Sequence, residues 1–126
     1  MDTIKKRILL VEDEPGYQEL MQAILGKPFD LAVCTSAEEA MVKLDTERYH
    51  LIISDINMFG MMGFEILNRI NQEGLSETCP VILCSSMLDP ATKEKALSMK
   101  AAGFIPKPFD PQKVLAMVRT LLNVPE

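Results

Sequence analysis

The sequence is poor in the residues on which several classes of protein depend. It has a single histidine and three cysteines, and its net charge of −5 leaves positive charge in deficit. A membrane-spanning helix needs about 20 consecutive apolar residues, and no run in the chain approaches that. The start, Met1-Asp2-Thr3-Ile4-Lys5-Lys6-Arg7, lacks the pattern of a signal peptide. His50, Cys34, Cys79 and Cys84 form neither a CxxC pair nor a metal-ligand spacing, so nothing supports a zinc centre. An odd number of cysteines, with Cys34 and Cys84 in or beside apolar runs, reads as buried free thiols in a reducing cytoplasm. His50 has no acidic or cysteine neighbour in sequence and reads as a solvent-facing loop residue. The acidic balance argues against direct binding of nucleic acid.

What is present is the composition of an ordinary globular chain. Its 126 residues are 48% hydrophobic and 25% charged, enough for one domain with a real core. Short apolar runs alternate with helical spacing along its whole length. Arg7-Ile8-Leu9-Leu10-Val11 reads as a strand and ends in Glu12-Asp13-Glu14. Pro15 suits a first helical turn, and Tyr17, Leu20, Met21 and Ile24 form one helix face until Gly26 and Pro28 stop it. Asp30 to Cys34 is a second strand. Ser36 with Glu39 makes a capping box for a helix whose inner face is Ala37, Ala40, Met41 and Leu44.

Leu51-Ile52-Ile53-Ser54-Asp55 is the third strand, apolar enough to be buried on both faces and ending abruptly in an acid. A helix through Phe64, Leu67 and Ile70 follows and ends by Gly74. Pro80 to Cys84 is the fourth strand and runs into Ser85-Ser86. Asp89-Pro90 and Asp110-Pro111 each pair an N-cap with a proline at the first helical position. The helix after Asp89, through Lys93, Ala96 and Leu97, has the weakest apolar stripe. Gly103-Phe104-Ile105-Pro106 is a brief fifth strand, followed by a helix with Val114, Met117, Val118 and Leu121 on one face. Strands and helices that alternate without long loops imply an α/β fold, a parallel sheet covered by helices on both sides.

In such a sheet the carboxyl ends of all strands lie along one edge, where ligands bind. Glu12, Asp13, Asp55, Ser85 and Lys107 all fall there. Taken singly each has an ordinary explanation: Asp55 as a helix cap, Ser85 in a turn, Lys107 as a solvated charge, Phe104 as core. Their convergence does not. Two carboxylates ~4 Å apart repel by about 4 kcal/mol at an effective dielectric near 20, so a cation or raised pKa values must offset the cluster. Oxygen-only ligands select a hard ion, and Mg²⁺ takes one or two carboxylates while leaving room for phosphate oxygens. Lys107 and Ser85 add an ammonium and a hydroxyl suited to a phosphoryl group, with an aspartate held to attack phosphorus.

From about residue 5 to 122 the chain resembles the receiver domain of two-component response regulators, the stand-alone chemotaxis type in particular. The acidic pair Glu12-Asp13, the acceptor Asp55 with Ile56-Asn57-Met58 after it, Ser85 and Lys107-Pro108 stand in the family's order. The resemblance implies a flavodoxin-like (βα)5 fold, one domain over 1–126 and the strand order 2-1-3-4-5, which the family shares. It implies that Asp55 accepts a phosphoryl group from a histidine kinase or a histidine phosphotransfer protein. Mg²⁺ would be held by Asp13, Asp55 and the main-chain carbonyl of Asn57, with Glu12 acting through water. Ser85 and Lys107 would contact the phosphoryl oxygens, Phe104 would be the aromatic switch, and the Lys107–Pro108 peptide would be cis. A downstream protein would read the face of the fourth helix, fifth strand and fifth helix, roughly Asp89 to Leu122. No output domain is expected after Leu122, so a protein target and not DNA is the expected readout. A cytoplasmic monomer that can dimerise on activation is expected, with slow self-hydrolysis and no other enzymatic activity.

Two departures and three alternatives complete the expectation. Phe59 and Met62 stand where the family has Pro and an acidic or small polar residue, and are expected to form an adhesive patch for a partner. An aspartyl-phosphate phosphatase of the haloacid dehalogenase type would need a second Asp where Asn57 stands, and a nucleophile after the first strand. A scaffold with a lost site is contradicted by the complete set of residues. The chain as the receiver of a longer regulator is the remaining alternative.

Overall fold

The structure, a computed structural model, describes residues 5–56, 62–86 and 89–124. Five strands, β1 (Arg7–Val11), β2 (Asp30–Cys34), β3 (Leu51–Asp55), β4 (Val81–Ser85) and β5 (Gly103–Pro106), alternate with five helices. The helices are α1 (Pro15–Leu25), α2 (Ala37–Thr46), α3 (Met62–Gln72), α4 (Pro90–Ser98) and α5 (Pro111–Leu122). All strands run parallel in the order β2-β1-β3-β4-β5. This is the flavodoxin-like architecture and strand order expected from the sequence.

Successive strand residues face opposite sides of the sheet, so each strand feeds two cores. Leu9, Val11, Ile52, Val81 and Leu83 pack with α2, α3 and α4 through Ala40, Leu44, Phe64, Leu67, Ile70 and Ala96. Ile8, Leu10, Leu51, Ile53 and Ile82 pack with α1 and α5 through Met21, Leu25, Val114, Val118 and Leu122. β3 and β4 are buried at every residue, which is why their sequences are continuous apolar runs, whereas β2 and β5 at the edges are partly exposed. Fully burying one such Ile or Leu stabilises the fold by about 1.5–3 kcal/mol.

The helix starts follow their caps. Asp89 Oδ1 accepts the Thr92 N–H at 2.7 Å, and Asp110 Oδ1 accepts the Gln112 N–H at 3.1 Å. Ser36 Oγ accepts the Glu39 N–H, but the Glu39 carboxylate accepts from Thr35, one residue earlier than a reciprocal box requires. The box is therefore half made. His50 is also not the solvent-facing loop residue expected. It is partly buried, its Nδ1 accepts the Arg7 N–H at 2.9 Å and its own N–H donates to Arg7 O at 2.8 Å. These two bonds carry the β1–β3 pairing one residue below β3. All three cysteines are free and buried, as expected.

Candidate functional site

Backbone hydrogen bonds carry the strand pairing one step past the strand ends and so fix the residues that follow them. Glu12 N–H donates to Cys34 O, Ile56 N–H to Cys84 O, and Lys107 N–H to Ser85 O, at 2.9, 2.9 and 3.0 Å. Glu12, Asp55 and Lys107 are thereby brought together from β1, β3 and β5, across 52 residues between Asp55 and Lys107. Behind Asp55, α3 starts so close to the strand that a side chain at Gly63 would be crowded. A Cβ on Gly63 would lie 3.2 Å from Asp55 O and 2.8 Å from the Leu83 side chain.

Lys107 is the hub. Its Nζ lies 2.7 Å from Glu12 Oε1, 3.1 Å from Asp55 Oδ2 and 4.0 Å from Glu14 Oε1. The Lys107 side chain is 4% exposed and that of Glu12 1%, so the pair is screened little by solvent. Burial draws the Lys107 ammonium down, but its hydrogen bonds to Glu12 and Asp55 outweigh burial and hold it above the ordinary lysine value. Burial pushes the Glu12 carboxyl above its ordinary value, with Lys107 opposing. The other Glu12 oxygen, Oε2, accepts the Glu14 N–H at 3.1 Å, and Gln18 Nε2 donates to Glu12 O at 2.5 Å.

Ligand oxygens of Glu12, Asp13 and Asp55 lie within 4.8 Å of one another; Asp13 is exposed and the other two are buried. Three carboxylates face one close ammonium, so the cluster keeps a negative excess that a hard cation would offset. Asp13 and Asp55 suit direct coordination. Both Glu12 oxygens are already engaged, which suits contact through water. Ser85, at the end of β4, is 2% exposed. Phe104 is partly buried against the core cluster of α2, α3 and α4. The Lys107–Pro108 peptide is cis. Asn57, Phe59 and the Met62 side chain lie outside the described residues.

Sequence reasoning missed the aromatic pair beside the hub. The Tyr17 ring centroid lies 4.3 Å from Lys107 Nζ, and Phe109 meets Tyr17 edge-on with centroids 5.0 Å apart. Tyr17 was legible only as part of an apolar helix face; its place one turn after the acidic pair was the available signal.

An acidic pair, a buried aspartate and a buried lysine on the carboxyl edge of a 2-1-3-4-5 sheet define a receiver-type domain. The family model for the response regulator receiver domain matches residues 8–119, and the chain belongs to that family. It is 28% identical over 124 residues to the DNA-binding response regulator MtrA of Mycolicibacterium smegmatis, covering 98% of this chain and 53% of that protein. It is 32% identical over 117 residues to Response regulator Rre1 of Synechocystis sp., covering 91% and 51%. The chain thus spans about half the length of these curated relatives. The signal receiver domain of an HD domain-containing protein from Pseudomonas fluorescens Pf-5 superposes with a TM-score of 0.86 at 27% identity, covering 98% of this chain and 90% of that one. The chemotaxis response regulator CheY4 of Vibrio cholerae shares the fold with a TM-score of 0.83 at 24% identity, covering 94% and 99%. Among the described residues, no helix is long and apolar enough to cross a membrane.

Proposed function

We propose that the span 1–126 acts as one phosphoacceptor switch, with Asp55 taking a phosphoryl group from a histidine kinase or histidine phosphotransfer protein. The observation that carries this reading is the clustering of Glu12, Asp13 and Asp55 within 4.8 Å, with Lys107 Nζ 3.1 Å from Asp55. An Asp55 carboxylate oxygen attacks phosphorus. The new O–P bond forms as the bond to the donor imidazole nitrogen breaks, and the bonding pair leaves with that nitrogen. Lys107 stabilises the charge on the transferred oxygens, and the Ser85 hydroxyl donates to one of them. The Asp13 and Asp55 carboxylates would hold Mg²⁺, with the Asn57 carbonyl that the family resemblance implies and with Glu12 through water. When bound, Mg²⁺ supplies positive charge to the cluster and the phosphoryl oxygens.

Phosphorylation adds about two negative charges, and Ser85 drawn toward them shifts the face of α4, β5 and α5 through Phe104. Leu97 on α4, 61% exposed, and the partly buried Phe104 support that face as the one a partner reads. A cytoplasmic setting fits the three free thiols. Incubation with acetyl phosphate and Mg²⁺, followed by intact mass, tests the reading. One phosphoryl adduct is expected on the native chain and none on Asp55→Asn; the reverse in either case overturns it. Lys107→Ala should still accept the group yet lose any phosphorylation-dependent gain in binding to a downstream protein. The length of the relatives favours a second reading, in which the same switch acts on an output domain of a longer regulator.

A further inference from the structure

Lysine carries three N–H donors on a flexible four-carbon stem and can satisfy them in many geometries. Here two sides of the Lys107 ammonium are taken by Glu12 and Asp55, at 2.7 and 3.1 Å. The face of Tyr17 meets it as well, its centroid 4.3 Å from Nζ, within the range of cation–π attraction. The ring does not hang free. Phe109, itself buried, braces it at an interplanar angle of 60°. The helix that carries it is tied to the acidic edge by the hydrogen bond from Gln18 Nε2 to Glu12 O.

The competition around Lys107 gives this contact a consequence. Glu12 is the closer carboxylate, and Glu14 Oε1 waits at 4.0 Å. An ammonium without the ring has acidic partners, and water, to turn to in place of Asp55. An ammonium held against a braced ring is limited to few rotamers and stays where the transferred oxygens arrive.

We propose that Tyr17 is a positioning residue, its ring face holding Lys107 in register with Asp55. The role rests on the phosphoacceptor reading above. It adds a residue from α1 to a site otherwise built at strand ends. The hydroxyl of Tyr17 has no part in it; the aromatic face does.

The test uses the full chain with Tyr17→Leu and Tyr17→Phe, each alone and combined with Lys107→Ala. The rate of Asp55 adduct formation is followed by intact mass with acetyl phosphate and Mg²⁺. Tyr17→Leu is expected to slow it about 3- to 10-fold, a cation–π contact expressed as rate, and Tyr17→Phe by less than about twofold. In the Lys107→Ala background Tyr17→Leu should change nothing further, because the residue acts through the lysine. In NMR spectra without phosphodonor, the Lys107 ε-methylene protons should be shifted upfield by the ring in the native chain and in Tyr17→Phe, and lose that shift in Tyr17→Leu. Equal slowing with and without Lys107, slowing by Tyr17→Phe as large as by Tyr17→Leu, or an unshifted native lysine overturns the proposal. The native spectrum decides even where Tyr17→Leu does not fold. Absence of any adduct on the native chain overturns the phosphoacceptor reading and this role with it. A native adduct formed equally fast in Tyr17→Leu overturns this role alone.

Discussion

At the residue scale, burial sets what each reactive group does. Cys34 and Cys79 are desolvated in the core, which pushes both thiols up to about 11, and burial raises Cys84 in the same direction. The unfolded chain keeps ordinary thiols, so as pH rises it releases these protons before the folded chain does. The folded state then binds more protons than the unfolded state, and stability falls with rising pH. The contribution of the thiols is full below the ordinary thiol range and is lost progressively up to about 11. Each unit of difference corresponds to about 1.4 kcal/mol per group. Urea denaturation at stepped alkaline pH should show this decline, and Cys79→Ala should make it shallower while lowering stability near neutral pH. A decline unchanged by Cys79→Ala would assign it elsewhere. The same burial leaves the thiols inert toward alkylation in the native state.

At the scale of elements, the closest constraint lies where α3 meets β3. Gly63 starts α3 where a Cβ would lie 3.2 Å from both the Asp55 carbonyl oxygen and the Ile56 Cα. A methyl there meets backbone that cannot swing away, so α3 must back off or β3 must shift. Gly63→Ala is expected to cost about 1–3 kcal/mol, the range for overpacking a filled site. It should also slow phosphorylation, because the displaced carbonyl belongs to the proposed acceptor. Denaturant midpoints and adduct rates measured on one preparation check both effects; an unaltered rate would separate α3 from the site. Much of this layout was legible in sequence. The apolar runs of β3 and β4 are buried at every residue, and such burial leaves a continuous hydrophobic trace. The convergence of the candidate residues at strand ends was legible for the same reason, since parallel topology carries all the carboxyl ends to one edge. The missed features depend on side chains meeting across the fold. His50 Nδ1 bonds to a backbone 43 residues away, and the Tyr17 face meets a lysine from β5. Local spacing contains neither. In the Glu39 cap, one carboxylate had two neighbouring N–H groups within reach, and pattern alone could not choose between Ser36 and Thr35.

At the scale of the molecule, the site is a charge problem that the fold holds open. The backbone brings ligand oxygens of Glu12, Asp13 and Asp55 within 4.8 Å of one another, with the Lys107 ammonium close to Glu12 and Asp55. The repulsion is therefore stored in the folded state and relieved on unfolding. A metal that binds only the folded chain removes it. Binding at a hundred times the dissociation constant stabilises by about 2.7 kcal/mol, which for a chain of this size raises the melting midpoint by roughly 10 °C. Removing one charge should work from the other direction. Asp13 is the exposed member and has least packing to lose, so Asp13→Asn should raise the midpoint measured in EDTA. It should also shrink the rise that Mg²⁺ produces, because the same carboxylate is the proposed ligand. Melting curves of both chains in EDTA and in Mg²⁺ give four midpoints, and the prediction is a crossover: the variant more stable without metal, the native chain gaining more with it. Equal gains from Mg²⁺ would mean that Asp13 holds no metal. A variant less stable in EDTA would mean that the cluster stores no repulsion, and that Lys107 alone is enough to balance it.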